Sequence, residues 1–350
     1  MKIVYTVNGE GMGHASRSGV VIEHLLSKGH EVFIFTAGER PVRYLREKYG
    51  RVAKVLGLHM VYRDNKIRRL RTALRVLMNL TELRADFVTM RKELGSFTPD
   101  VVITDFDFHG PILARQYQVP LISIDNIQFI TQAKFAVAAE DMVDYELNYL
   151  VAKMMVPKAD YYFITTLADA KVRDQKKSAC VFFVPPLLRE KIVHARPTAE
   201  DHFVVYQTSD SYRELVQVLS QTDAKFIVYN SRSGKAAPNI TFKDFSEDSF
   251  IADLASARGV ITNGGFTVIS ESIYLRKPVL SVPIGNYFEQ KLNGMILQEK
   301  QCGMMVKRLS RTTLRQFVGR HREFAEAAGR LSFDNAQLFS KLDSILASLK

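Results

Sequence analysis

Cysteine is scarce in this chain: Cys180 and Cys302 are the only two in 350 residues. They lie far apart, with no histidine at ligand spacing, so neither a disulfide framework nor a structural zinc site can be built from them. A reducing, cytoplasmic compartment is the expectation. No apolar run approaches the roughly 18 residues that a membrane-spanning helix needs. The opening MKIVYTV is too short for the core of a secretory signal and leads straight into glycine-rich sequence, so it reads as a strand. The chain is therefore expected to be soluble, or at most peripheral on the inner face of the cell membrane. Internal repeats and low-complexity tracts are missing too. With 47% apolar and 24% charged residues, the disordered and fibrous classes are excluded.

What remains is enough chain for two ordinary domains. Short apolar strands alternate with longer amphipathic stretches, the pattern of parallel β-α-β units. Strands are expected at residues 2–7, 31–36, 101–104, 121–124, 161–164 and 181–184. The pattern restarts at 202–207, 225–229, 259–262 and 278–282. The expected fold class is α/β, as two tandem Rossmann-like, doubly wound domains with a cleft between them. Pro185-Pro186 and the polar stretch through Pro197 mark the join. This gives an N-terminal domain at 1–190, a C-terminal domain at 198–315, and a helical tail at 316–350 that is expected to pack back on the first domain.

Charge is unevenly spread. The chain carries 48 Lys+Arg against 37 Asp+Glu, a net +11. Residues 40–93 hold fifteen basic and five acidic residues, and so nearly all of that surplus. Within this segment Lys66–Leu80 sets Ile67, Leu70, Leu74 and Leu77 on one helical face and Arg68, Arg71 and Arg75 on another. Such a helix suits an anionic membrane surface, and equally an ordinary surface helix packed on its own domain. Nucleic acid is a third reading that no recognised motif supports.

The loop Gly9-Glu10-Gly11-Met12-Gly13-His14 follows the first strand and is expected to open a helix at Ala15–Lys28. Its glycines permit positive φ and close backbone approach. The spacing is not G-x-G-x-x-G, and no acidic residue ends the second strand, which argues against a dinucleotide site. His14 stands where open α/β sheets bind ligands, and histidine titrates near neutrality. Asp105, ending the strand VVIT, emerges on the same sheet edge. The two form a candidate general-base pair for an acceptor hydroxyl; the plain alternative is a helix-capping histidine beside an unrelated carboxylate. Glu10 is a second candidate base. Asp107 and His109 are held in reserve as residues that shape the following loop.

The C-terminal half carries the densest pattern, GVITNGGFTVISESIYLRKPVLSVPIGNYFEQKLNG. Asn263-Gly264-Gly265 would offer backbone amides at a helix start to a pyrophosphate, with support from Thr267 and from Thr208 and Ser209. Glu271, two turns on, is placed to accept hydrogen bonds from ribose hydroxyls, and Glu289-Gln290 suit sugar hydroxyls. Phosphate, ribose and sugar contacts then follow the order of a nucleotide sugar.

These segments resemble the donor signature of GT-B glycosyltransferases, in particular the nucleoside-diphosphate-sugar enzymes of families 1 and 28, which include the lipid-linked N-acetylglucosaminyltransferase of peptidoglycan synthesis. The resemblance implies a ribose acid at Glu271, a preceding glycine at Gly265, a sugar-reading pair at Glu289-Gln290, and a base at His14 oriented by Asp105. It implies base contacts from Phe242–Ser246, with Phe245 stacking on the nucleobase, and Gly9, Gly11 and Gly13 as the acceptor loop. The family 1 histidine at the pyrophosphate is replaced by Asn263, which donates a hydrogen bond but carries no charge. The expectation is an inverting transfer from a UDP-type donor to an acceptor hydroxyl, on a lipid-linked acceptor at the membrane face. Neither a cofactor beyond the nucleotide-sugar co-substrate nor a metal is expected. The alternatives are a nucleotide-sugar 2-epimerase of the same fold and a non-catalytic membrane- or RNA-binding protein.

Overall fold

The computed structural model describes the backbone of residues 1–57, 62–63, 66–67, 80–207, 212–229 and 237–349, and their side chains except at 62–67, 80–85 and 212–214. The chain forms two compact units. The first comprises Met1–Val61, Arg68–Leu187 and Asp334–Lys350, and the second Tyr62–Ile67 with Leu188–Phe333.

The first unit is built on β1 (Lys2–Val7), β2 (Glu31–Thr36), β3 (Val52–Lys54), β4 (Val101–Asp105), β5 (Leu121–Asp125), β6 (Tyr161–Thr165) and β7 (Val181–Val184). They form one parallel seven-stranded sheet in the order β7-β6-β5-β4-β1-β2-β3. Near-continuous apolar strands such as KIVYTV are what a sheet covered on both faces requires. Its helices are α1 (Met12–Ser27), α2 (Glu39–Lys48), α3 (Leu80–Leu94), α4 (His109–Tyr117) and α5 (Met142–Met155). The strand order reverses between β1 and β4, where Val7 is in register with Asp105. That reversal opens a crevice at the carboxyl edge.

The second unit repeats the plan with β8 (Phe203–Tyr206), β9 (Phe226–Tyr229), β10 (Ile240–Lys243), β11 (Gly259–Thr262), β12 (Val279–Ser281) and β13 (Gly303–Met305). Six parallel strands run in the order β10-β9-β8-β11-β12-β13, and the order reverses between β8 and β11. The period of two divides β8 between two cores. Phe203 and Val205 pack with Phe226, Ile261 and Leu280, whereas Val204 packs with Val260, Phe250 and Leu254. Around this sheet lie α6 (Tyr212–Leu219), α7 (Glu247–Ser256), α8 (Phe266–Tyr274), α9 (Phe288–Glu299) and α10 (Arg311–Ala328). A last helix, α11 (Ala336–Ser348), belongs to the first unit.

The chain passes from one unit to the other at Leu187–Leu188, within the expected join between Pro185 and Pro197, and Leu188 and Ile192 already pack in the second core. Two expectations change here. The stretch expected as one tail at 316–350 is two helices with different homes. In α10, Leu314, Phe317 and Phe324 fill the second core; in α11, Leu338, Leu342, Ile345 and Leu346 join Ile3, Ile22 and Leu25 in the first. Lys66–Ile67 is a short strand paired with Tyr62–Arg63, so the helix expected at Lys66–Leu80 does not begin there. Arg68, Arg71 and Arg75, like Thr208 and Ser209, lie outside the described residues. Among the described residues no helix is long and apolar enough to cross a membrane.

Candidate active site

The loop after β1 is held by its own side chains. Asn8 Nδ2 donates to the Phe106 carbonyl at 2.9 Å, and Asn8 Oδ1 accepts the Glu10 N–H at 2.8 Å. Gly9 is pressed against Ala37, where a Cβ would lie 2.5 Å from backbone atoms, and Gly11 has φ +81°. Only glycine fits both demands. Helix α1 starts at Met12, earlier than the expected Ala15, so Gly13 and His14 lie in its first turn.

From that turn His14 Nδ1 reaches Asp105 Oδ1 at 2.8 Å. Asp105 is fully buried and takes three further hydrogen bonds: Arg17 Nε to Oδ2 at 3.0 Å, Arg17 Nη2 to Oδ1 at 2.5 Å, and Ser18 Oγ to Oδ2 at 3.0 Å. Burial opposes the charged carboxylate, but Arg17 and His14 more than offset it and hold its pKa below the ordinary aspartate value. An ionised Asp105 accepts the Nδ1–H, which leaves His14 Nε2 as the acceptor. Residues 14, 17 and 18 share one face of α1 through the i+3 and i+4 spacing. Arg17 Nη1 continues to Asn126 Oδ1 at 2.6 Å. Neither Arg17 nor Asn126 is singled out by the sequence reading, although the helical spacing from His14 points to Arg17.

The neighbouring candidates separate from this network. Glu10 lines a small pocket with Asn8, Gly57, Asp107 and Phe108. Asp107 Oδ1 accepts from His109 Nδ1 at 2.9 Å, and His109 Nε2 lies 3.0 Å from Asp86 Oδ2 on α3. Burial disfavours a charge on His109, yet the two carboxylates outweigh it and push its pKa up to about 9. Asp107 and His109 thus tie the loop to α3.

In the second unit, β11 runs into Asn263, whose Nδ2 donates to the Val282 carbonyl at 3.2 Å. Gly264 has φ +92°, and a Cβ there would strike the Gln290 carbonyl and Ser281 Oγ at 2.8 Å. Gly265 caps α8 without a side-chain hydrogen bond and with open space beside it. The first amides of α8, around Thr267, are thus approachable by an anion. Asn293 Nδ2 bridges the Gly264 carbonyl at 3.0 Å and Glu289 Oε1 at 3.3 Å, which brings the glycine turn and the start of α9 together. Gln290 Oε1 accepts the Ile284 N–H at 2.9 Å. Phe245 packs half-buried among Tyr206, Tyr229 and Phe250.

Glu271 has a partner that sequence spacing does not foretell. Arg189 Nε and Nη2 donate to its two oxygens at 2.7 and 2.6 Å, and Arg189 Nη1 donates to Glu247 at 2.7 Å. Burial works against the guanidinium charge, but Glu271 and Glu247 raise its pKa further. Among the described residues no three metal-ligating side chains converge.

A family model described as glycosyl transferase family 1 matches residues 1–321. Two uncharacterized glycosyltransferases of Methanosarcina acetivorans are similar: one is 25% identical over 331 residues, covering 87% of this chain and 86% of its own, the other 27% identical over 341 residues, covering 89% and 85%. Among solved structures, LpCGTa in complex with UDP superposes with a TM-score of 0.69 at 14% identity, covering 100% of this chain and 99% of that one. The calicheamicin glycosyltransferase CalG4 gives 0.65 at 16%, covering 99% and 98%. Phytolacca americana UGT2, complexed with UDP-2fluoro-glucose and pterostilbene, gives 0.66 at 15%, with the same coverage. These likenesses show the GT-B fold, and the match of the family model over residues 1–321 shows that the chain belongs to glycosyl transferase family 1.

Proposed function

We propose that this glycosyltransferase moves a sugar from a nucleoside diphosphate, of the UDP type, to an acceptor hydroxyl with inversion at the anomeric carbon. His14 Nε2 takes the acceptor proton as the oxygen attacks, the bond from the anomeric carbon to the diphosphate oxygen breaks, and the nucleoside diphosphate leaves. Asp105 steadies the imidazolium that forms. Amides at Gly265 and the start of α8 receive the charge that grows on the diphosphate. Glu271 takes the ribose through the lone pairs that Arg189 leaves open, since each carboxylate oxygen can accept more than one hydrogen bond. Glu289 and Gln290 read the sugar, and Phe245 borders the nucleobase. A UDP donor is supported by the UDP named in two of the similar structures.

The observation that carries this reading is the His14–Asp105 contact of 2.8 Å on a fully buried carboxylate. It sits at the strand-order reversal of the first sheet, beside a turn in which a Cβ on Gly9 would strike Ala37 and Gly11 holds a positive φ. His14→Ala should lower turnover about 100-fold or more while nucleotide still raises the melting temperature. A normal rate would move the base to Glu10. Glu271→Gln should weaken the UDP-induced shift, and an unchanged shift would refute the ribose assignment.

An anionic membrane surface is proposed as a partner, with a lipid-linked acceptor. The surplus of basic residues at 40–93 supports this. So does α5, where Val143, Leu147, Leu150, Val151 and Met154 are exposed.

A further inference from the structure

A second gathering of cations lies in the second unit, at the amino edge of its sheet. Residues 199–201 precede β8, Ala257 and Arg258 precede β11, and Arg276 and Lys277 precede β12. With His321, Arg322 and Ala325 of α10 they line a cavity of about 410 Å³. The strands are parallel, so this edge is opposite the one that carries Asn263–Gly265.

The charges in this cavity are unbalanced. Lys277 is 4% exposed, and its ammonium donates to the Thr198 carbonyl, with no carboxylate against it among the described residues. Burial pulls its pKa down to about 8, the mark of a cation lacking a counterion. Arg276 holds the left-handed conformation at φ 57°, which β-carbon residues avoid. Arg276 and Arg322 are both exposed, with no ion pair to a described carboxylate. Arg258 is fixed by Asp201 at 3.1 Å and by the Phe203 ring at 5.5 Å, and its Nη2 lies 3.4 Å from His321 Nε2. His321 Nδ1 donates to the Val318 carbonyl at 2.7 Å, which fixes its ring in the cavity wall. Two carboxylates also line the cavity: Asp201 pairs with the lining Arg258 and lies near Lys225, and Glu200 stands 3.9 Å from His202, so four lining cations face two lining carboxylates.

We propose that this cavity is a binding site for a small phosphorylated molecule, distinct from the donor site. Lys277 and Arg322 supply the charge-assisted donors, with Arg276 at the rim. The volume is that of a small-ligand pocket, and paired guanidinium and ammonium donors are the usual receptors for phosphate. Arg276 and Lys277 lie just past Leu275, the C-cap of α8, the helix whose other end is Gly265, so an anion held here loads the end of the element that carries Glu271. The proposal stands whether or not the donor assignment does.

Inorganic phosphate is the probe, titrated at constant ionic strength against the full chain with the melting temperature as readout. The native protein should be stabilised. Arg322→Glu and Lys277→Met should each weaken the apparent affinity about tenfold or more, the loss of one charge-assisted contact. Arg115→Glu, a matched charge reversal at an exposed site on α4 of the first unit, should leave it unchanged. Arg322 is exposed, so its variant carries the test even if Lys277→Met disturbs folding. No stabilisation, equal stabilisation in both cavity variants, or an equal loss in Arg115→Glu would each overturn the proposal. Glycerol phosphate and vesicles of phosphatidic acid separate the sources: stabilisation by the first alone identifies a soluble metabolite, and vesicle binding lost in Arg322→Glu identifies a lipid headgroup.

Discussion

Asp125 ends β5 one strand away from Asp105, and the two carboxylates do not ionise with equal ease. Asp125 is fully buried, and burial together with the nearby Asp105 pushes its pKa up from 3.8 to about 6. A carboxyl that binds its proton more tightly in the folded chain adds stability below the unfolded value of 3.8. That stability is lost as pH rises through about 6, a change of about 3 kcal/mol. Asp125→Asn keeps an acceptor for the Gln128 N–H and removes the charge. It should stabilise the protein by about 1–3 kcal/mol above pH 6 and not below 3.8, as read by urea unfolding at both ends; a gain independent of pH would show another cause. Arg189 poses the converse case. Arg189→Met strands the buried Glu271 carboxylate and should cost about 3–5 kcal/mol, part of which Glu271→Leu in the same chain should restore. His14 and Asp105 are legible in the sequence because one follows the glycine turn after β1 and the other ends β4, two strands that the open sheet places side by side. Arg189 and Asn293 are not legible, since their partners are set by packing between segments that no local pattern relates.

Among elements, α3 is tied to the loop after β4 by a polar contact as well as by the buried Met90 and Leu94. Asp86 accepts the Leu56 N–H at 2.7 Å and meets His109 at 3.0 Å, so one buried imidazole joins α3, α4 and the loop after β4. A histidine raised from 6.5 to about 9 gives its full stabilisation below 6.5 and loses it as pH climbs through 9. The expected loss is about 3 kcal/mol across that window. His109→Gln should flatten the pH dependence of urea stability there, and a curve parallel to the native one would sink the assignment. Helix α5 offers a second test. Val143 and Met154 are 64% and 65% exposed on an apolar face, so Val143→Ser with Met154→Ser should reduce binding to anionic vesicles if this face meets lipid; undiminished binding would remove α5 from that surface. The central strands are legible as uninterrupted apolar runs. The strands missed, β3, β10 and β13, are all sheet edges, where short mixed sequences such as VAK, ITFK and GMM pair on one side only and lose the apolar signature.

Each of the two units has its own core, that of the second divided by its sheet, and chain order does not follow them. Alternation of strands and helices makes the two doubly wound sheets readable in advance, but the periodicity of the stretch 316–350 does not show that it divides between the two units. An apolar face states that it is buried, not against which sheet. Helix α11 buries Leu338, Leu342, Ile345 and Leu346 in the first core, and His24 both pairs with Asp343 at 2.8 Å and stacks on Phe339 at 4.0 Å. Each such apolar side chain contributes about 1.5–3 kcal/mol, so removal of residues 334–350 takes away a large share of the margin by which a domain stays folded. Calorimetry should therefore show two effects on different transitions. Truncation before Asp334 should lower or abolish the transition of the first unit and leave that of the second in place. A nucleoside diphosphate bound in the second unit should raise that transition alone, by mass action on the state that binds it. If UDP instead raised only the transition that truncation removes, the nucleotide would belong to the first unit, and Gly265, Glu271 and Glu289 would have to be given another role.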